Sequence, residues 1–433
     1  MSCLVIAVLL LHATMVTSWS IDLKNESVTV QMHKQVSLPF SIHGLDVSNF
    51  TLEATSDESI ATVKLGVIRQ VDSDWYGNLN ITGIFLGHSK ISLTVYERQI
   101  NQGTKDVVMV TVLREERTVD RIFTASVAIL VSLLYINFGC AVDWELCRRT
   151  LKRPVGPTIG FFCQFLVMPL LSYVLGRTLF PDRPDLQIGL FFTGISPSGG
   201  ASNIWTVLLD GNLNVSITMT TVFTIIAFGT MPFWVLTLGT RIFERTEIKV
   251  PYVRMASLAV GLIIPLALGF FIQKRLPRLS KTLVRIMRPF SVILIVFIVV
   301  FAIYTNLYLF KLFSKEIVIV GMGLPWLGFI IGLIAAWSFK QPWSDVKAIA
   351  IETGIQNTGI SIFLLRFTLE PPADDLTTVV PVSAAIMTPI PLAILYLAKI
   401  AYNRRRDSAT ITELSLQNPK EVTDIALTGS HQS

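Results

Sequence analysis

Charge is what this chain has least of. Only 15% of its 433 residues are Asp, Glu, Lys or Arg, while 52% are hydrophobic; soluble domains carry about 25% charged residues. The deficit points to a nonaqueous environment, and the natural one is a bilayer. Cysteine is scarce as well: Cys3, Cys140, Cys147 and Cys163, with none between residues 20 and 120. A domain built in that stretch folds without disulfides. The three later cysteines lie in or beside apolar segments and read as small buried hydrophobes. Zinc-ligand spacing, a phosphate-binding glycine loop and a recognisable nucleophile–base set are also missing from the linear sequence, which argues against an enzyme and against an organic cofactor. The net charge of +6 is spread through loops and leaves no nucleic-acid footprint.

What is there begins with an apolar stretch, 1–18, ending in small residues around Ser18 and Ser20. It reads as a signal peptide over 1–19, although a basic n-region is absent. Residues 20–118 are polar and carry alternating runs such as Val36-Ser37-Leu38-Pro39-Phe40 and Ile91-Ser92-Leu93-Thr94-Val95, separated by turn residues. Short alternating strands at this spacing predict a β-sandwich-like ectodomain. Three sequons fall in it, at Asn25, Asn49 and Asn80, and mark an extracellular or lumenal face.

From about residue 120 the chain becomes nine apolar segments: roughly 122–142, 156–178, 187–209, 215–239, 252–272, 286–309, 317–339, 346–367 and 378–400. Each is about the 20 residues that span the hydrocarbon core. Basic residues follow segments one (Arg148, Arg149, Lys152, Arg153), five (Lys274, Arg275, Arg278) and nine (Arg404, Arg405, Arg406), whereas segment eight is followed by Glu370, Asp374 and Asp375. Positive loops lie on the cytoplasmic side. The amino terminus is therefore outside and the carboxyl terminus inside. The loop 241–254, with Arg241, Arg245, Lys249 and Arg254, dissents and is outvoted. The expected organisation is a multi-pass transmembrane domain over 119–402 and a disordered cytoplasmic tail over 403–433.

Polar side chains inside spans are expensive and call for a partner or a task. Gln164 lies in segment two, Pro197-Ser198-Gly199-Gly200-Ala201-Ser202-Asn203 in segment three, Ser216 and Thr220 in segment four, and Glu352-Thr353-Gly354-Ile355-Gln356-Asn357 in segment eight. Counted from the cytoplasmic ends, all sit roughly 8–15 Å into the membrane, so four clusters share one layer. Pro197, Gly199 and Gly354 predict broken helices in segments three and eight, whose freed carbonyls and half-helix ends can coordinate a cation. These segments are five apart, an odd offset, as inverted repeats require. Glu352 is the one acidic residue well inside a span. It could ligate sodium among neutral oxygens, carry a proton, or pair structurally, and the residues alone leave all three open.

At these clusters the chain resembles the sodium/bile-acid cotransporter family. The resemblance covers about residues 120–402 and is carried by Asn137-Phe138-Gly139-Cys140, Gln164 with Met168-Pro169, Ser202-Asn203, the stretch from Gly211 to Met231-Pro232, and the Glu-Thr-Gly-Ile-Gln-Asn run from Glu352. It implies an all-α membrane bundle with two crossing broken helices, and symport of sodium with an amphipathic organic anion of the bile acid or steroid sulfate class. It also implies a first sodium site at Ser202, Asn203, Ser216, Thr220 and Glu352, and a second at Gln164, Glu352, Gln356 and the backbone near Thr353 and Ile355. Two departures stand out. Ser198 occupies a place where the family has glycine, and the long N-terminal domain is unlike that of the well-known bile-acid carriers. The expectation is a plasma-membrane symporter, with homo-oligomerisation left open. A proton-coupled carrier and an adhesion protein anchored by a retired carrier are the alternatives.

Overall fold

The computed structural model of the chain describes residues 19–23, 25–45, 50–72, 74–97, 100–115, 118–246, 252–286 and 313–417. The expected leader up to residue 18, Asn49 and nearly all of the sixth apolar segment lie outside the described residues. The chain divides into two compact units, Met1–Ile122 with Glu370–Leu376, and Phe123–Leu369 with Thr377–Ser433.

The first unit is β-rich. One sheet runs β1 (Ser20–Leu23), β3 (Gln35–His43), β7 (Asp74–Gly83), β5 (Ala61–Leu65), with β6 (Arg69–Val71) also paired to β7. The other runs β2 (Ser27–Gln31), β9 (Ile100–Leu113), β8 (Gly87–Glu97), β4 (Phe50–Thr55). All pairs are antiparallel except β2 with β9. Alternation works as period two demands: Leu38, Phe40 and Ile42 of β3 and Leu79 and Ile81 of β7 are buried, while Pro39 and Asn78 are exposed. Ile91 and Leu93 of β8 and Val110 and Val112 of β9 join the same apolar cluster. Trp19, assigned by sequence to the leader, belongs to this core at 3% exposure, and Lys105 Nζ sits 4.5 Å from its ring. The folded unit therefore begins before residue 20. Asn25 is exposed, and Asn80 is half-buried on the face of β7 opposite the core.

A hydrogen-bonded Ser41–His43–Asp74 row also lies on β3 and β7, with Oγ–Nε2 at 3.1 Å and Nδ1–Oδ1 at 2.9 Å. Spacing in the chain does not reveal it, because strand pairing, with Ile42 opposite Trp75, is what brings His43 to Asp74.

The second unit is helical: α1 (Thr118–Ala141), α2 (Trp144–Leu151), α3 (Val155–Leu179), α4 (Pro184–Ile195), α5 (Ala201–Leu208), α6 (Leu213–Phe243), α7 (Tyr252–Arg275), α8 (Lys315–Ser338), α9 (Trp343–Gly354), α10 (Thr358–Thr368), α11 (Ala373–Met387) and α12 (Pro389–Gln417). Among the described residues, five stretches are long and apolar enough to cross a membrane: α3, α6, α7, α8 and Ala373–Arg406. The third and eighth apolar segments are not among them, because each is two short helices, α4–α5 and α9–α10. The tail expected to be disordered from residue 403 is helical as far as Gln417. After Pro391 the stretch holds no glycine or proline until Pro419, and the residue before a proline disfavours helix.

Proline shapes two of the long helices. Pro169 has no N–H to give, and α3 forms a π-turn just before it, Cys163–Val167; the Phe165 carbonyl accepts instead from Trp234 Nε1 at 2.8 Å. In α6, Pro232 precedes a second π-turn, Val235–Gly239. Such bulges are concentrated at functional positions, and the first carries Gln164.

Candidate functional site

Two helix breaks face each other at the centre of the second unit. Between α4 and α5 the chain extends through Ser196, at φ −67° and ψ 153°, and between α9 and α10 through Ile355, at φ −88° and ψ 98°. The two extended pieces cross and pair as a single antiparallel bridge, Ser198 with Gln356. The Gly199 amide donates to the Ile355 carbonyl at 2.9 Å and the Asn357 amide to the Pro197 carbonyl at 2.8 Å. Each break thus satisfies backbone groups of the other, as a membrane interior requires. Gly199 eases this approach, because a Cβ would lie 3.1 Å from the Gln356 carbonyl oxygen, a tight contact. Asn357 caps α10 by accepting from the Ile360 amide at 3.2 Å.

α8 fixes the height of α9. Gly328 and Gly332, one turn apart, let its backbone lie directly on Ala350, Thr353 and Gly354: a Cβ on either would come within about 3.0 Å of those residues. Gly354 in turn leaves room for the Phe329 ring. This close contact of small residues is the usual way helices pack in a bilayer.

Glu352, at the end of α9, is fully buried. Its Oε1 accepts from Ser198 Oγ at 2.7 Å and from Thr220 Oγ1, and its Oε2 accepts from Ser216 Oγ at 2.9 Å. Ser202 Oγ lies 3.4 Å from Thr220 Oγ1. No lysine or arginine is among these partners. Hydroxyl protons are over-committed. Ser216 Oγ has one proton and two acceptors at 2.9 Å, Glu352 Oε2 and Asn203 Oδ1; the Asn203 amide nitrogen faces the Gly200 carbonyl at 3.5 Å. Thr220 Oγ1 also has one proton, shared between Glu352 and the Ser216 carbonyl at 3.0 Å. Around this buried carboxyl the described partners are all oxygens, the donor type that hard cations take. The five residues expected for a first ion, Ser202, Asn203, Ser216, Thr220 and Glu352, come together here.

The second expected set gathers differently. Gln164 Nε2 donates to the Ser196 carbonyl and to Gln356 Oε1, both at 2.7 Å; Gln356 Nε2 donates to the Thr353 carbonyl at 2.7 Å and reaches Gln164 Oε1 at 3.4 Å. The two amides complete each other. The Ile355 carbonyl is taken by the Gly199 amide, and the Ile355 side chain lies with Ile351 and Leu392. The hydrogen bonds of the Glu352 carboxylate go to the first cluster, so the structure assembles Gln164, Gln356 and the Thr353 carbonyl as a neutral group of their own.

Several members are absent from the expected ion sets. Ser198, one of the polar cluster of segment three, bonds the carboxylate directly. Thr206 donates to Ser216 Oγ at 3.2 Å; its only signal was a position three residues after Asn203, on the same helix face. Ser196 shares a hydrogen bond with Ser361 across the crossing at 2.7 Å. At the far end of α5, Lys399 Nζ donates to the Leu208 carbonyl at 2.9 Å and pairs with Asp210 at 2.6 Å, and Lys347 Nζ donates to the Leu209 carbonyl at 2.9 Å. Two cations at a helix C-terminus satisfy carbonyls and oppose the dipole. The Lys399 hydrogen bond holds the Asp210 carboxyl below its ordinary range.

An apolar cavity of about 240 Å³ opens in the same unit, lined by residues that include Tyr135, Phe192, Phe228, Met231, Met255 and Leu364, with no charged side chain among the described lining residues.

The profile of the sodium bile acid symporter family matches residues 128–312. The chain is 30% identical over 260 residues to an ileal sodium/bile acid cotransporter from Oryctolagus cuniculus, covering 60% of this chain and 73% of that protein. It is 30% identical over 285 residues to the protein of the same name from Cricetulus griseus, covering 65% and 81%. A sodium-dependent organic anion transporter from Bos taurus is 33% identical over 258 residues, covering 58% and 67%.

Proposed function

This chain belongs to the sodium bile acid symporter family, and on that premise we propose that it carries an organic anion across a membrane together with sodium. The observation that carries the reading is the buried Glu352 carboxylate, bonded to the hydroxyls of Ser198, Ser216 and Thr220, the last two of which have one proton each for two acceptors. A sodium ion among Glu352, Asn203, Ser202, Ser216 and Thr220 supplies the missing positive charge and ties α5, α6 and α9 together. A second ion would use Gln164, Gln356 and the Thr353 carbonyl once the amide pair opens. Two sodium ions with one monovalent anion move net charge, so an inside-negative voltage drives uptake.

The relatives' names include bile acid and organic anion, and the uncharged cavity suits the apolar body of a bile acid or steroid sulfate. The topology that goes with this role has nine spans, the two-sheet N-terminal unit as a sandwich outside the cell, and the carboxyl terminus in the cytoplasm. The basic residues after segments one, five and nine support it.

The test is uptake of labelled taurocholate and of a steroid sulfate by cells expressing the full chain, in sodium and in a large organic cation. Sodium-dependent uptake in the wild type and its loss in Glu352→Gln are expected. Sodium-dependent uptake that survives the substitution rules out this site, and uptake driven by a pH gradient alone points to a proton in its place. If neither probe is carried, sodium-induced thermal stabilisation of the purified chain still reads the site.

A further inference from the structure

The inner end of the α1–α2–α7 corner carries a second site, unconnected with the ion cluster. α1 and α7 cross with backbones in contact: a side chain on Gly139 would collide with the Leu266 carbonyl, and one on Gly269 with the Ile136 carbonyl. Cys140 Sγ donates to the Gly269 carbonyl at 3.4 Å. Below the crossing, Gln273 Nε2 holds the Cys140 carbonyl at 3.1 Å and the Val142 carbonyl at 2.5 Å, and Ser280 Oγ donates to the Cys140 carbonyl at 3.1 Å. Asp143 caps α2 through the Leu146 amide at 2.9 Å. The corner is therefore fixed, and α2 lays the Trp144 ring flat on Phe270, centroids 5.1 Å apart and planes 22° from parallel.

These two rings, with Phe271, Gln273, Lys274 and Arg275, line a pocket of about 690 Å³. Lys274 and Arg275 are exposed, and neither forms an ion pair among the described residues. The same holds for Arg148, Lys152, Arg153 and Arg278. Of the acidic residues at the start of α2, Glu145 pairs with Arg149 at 2.8 Å and Asp143 caps the helix. From the pocket an apolar track leads along α7. Ile264, Leu268 and Phe271 are spaced four and three residues apart, share one face, and are 64%, 46% and 59% exposed.

We propose that this corner binds one anionic phospholipid of the adjoining leaflet. Lys274 and Arg275 take the headgroup phosphate, Trp144 takes the glycerol level where indole rings prefer to sit, and the Ile264–Leu268–Phe271 track takes an acyl chain. Charge complementarity demands an anion, and the track demands that the anion carry a tail. A soluble phosphate or sulfate matches only half of the surface. The inference needs the bilayer but not the ion site, so the two fail separately.

The full chain, purified in a mild detergent, is first examined by lipid mass spectrometry. Phosphatidylserine or phosphatidylinositol phosphates should be enriched over phosphatidylcholine relative to the source membrane. Two basic side chains near the surface predict about a tenfold preference or more. Next, thermal stability is titrated with phosphatidylserine, phosphatidylinositol bisphosphate and phosphatidylcholine. The first two should stabilise the wild type, and Lys274→Gln with Arg275→Gln should abolish their advantage while sodium-induced stabilisation remains. Absence of enrichment in the wild type overturns the proposal even if the double variant does not fold. So does equal stabilisation by phosphatidylcholine, undiminished stabilisation of the double variant, full stabilisation by soluble inositol trisphosphate, or occupation of the track by a second copy, seen as a dimer that lipid does not dissociate.

Discussion

Two polar clusters lie around the crossing of the broken helices, and they solve the problem of burial in opposite ways. Around Glu352 there is a carboxylate, a ring of hydroxyls and a shortage of protons. Around Gln164 and Gln356 there are two neutral amides that give and receive in pairs. The first leaves a carboxylate with no basic partner among the described residues. The second closes on itself. An unpaired buried charge costs several kcal/mol, whereas a satisfied amide pair costs little. Sodium should therefore bind first and more tightly at Glu352, and occupation of the amide cluster should follow as a coupled step.

The contrast is broken most severely at Glu352. Glu352→Gln removes the charge and keeps the shape, and should weaken sodium-induced stabilisation at least about a hundredfold in sodium concentration, about 3 kcal/mol; a retained midpoint would mean that the hydroxyl cluster is structural. Gln356→Ala should cost less, about tenfold in the sodium dependence of uptake, and should lower the Hill coefficient towards one, since it leaves Gln164 without its buried partner. If Gln356→Ala were the more damaging of the two in thermal titrations, the ranking of the clusters would be reversed. Ser198→Gly deletes one donor to the carboxylate and restores the residue usual in the family. A shift of about threefold to tenfold in sodium affinity is expected, in either direction according to whether the hydroxyl ligates the ion or competes with it; no shift at all would place Ser198 outside the ion's shell. The smallest effect is at Asp210. Its carboxyl is held low by Lys399, so the ion pair contributes stability above the ordinary aspartate range and loses it as pH falls through the depressed value. Asp210→Asn should differ slightly from wild type in melting temperature at pH 7, and the difference should vanish as pH falls through the depressed value. A gap that widens on acidification would contradict this assignment.

Much of this was legible in the sequence because membrane burial makes polar residues conspicuous. Glu352, Asn203, Ser216, Thr220 and Gln164 stand out against apolar neighbours, and Pro197, Gly199 and Gly354 mark where helices break. What stayed hidden depends on pairing across the fold. Nothing near Lys399 announces that it closes α5, 191 residues earlier in the chain. Nor does any local pattern pair β2 in parallel with β9, or reveal that two glutamines 192 residues apart complete each other. Trp19 was misassigned because a leader and a core strand are both apolar, and composition cannot tell which neighbours an aromatic ring will find. The length of α12 was missed because a polar helix beyond the bilayer looks, residue by residue, like a solvated tail.

The paired amides at the crossing, Gly199 to Ile355 and Asn357 to Pro197, set a rule for motion. The hydrocarbon interior offers no substitute for those two bonds, so pulling the broken segments apart would strand four polar groups at once, whereas swivelling them about the bridge strands none. The crossing therefore ties α4–α5 to α9–α10, and a rearrangement that keeps both bonds has to move the helices around it.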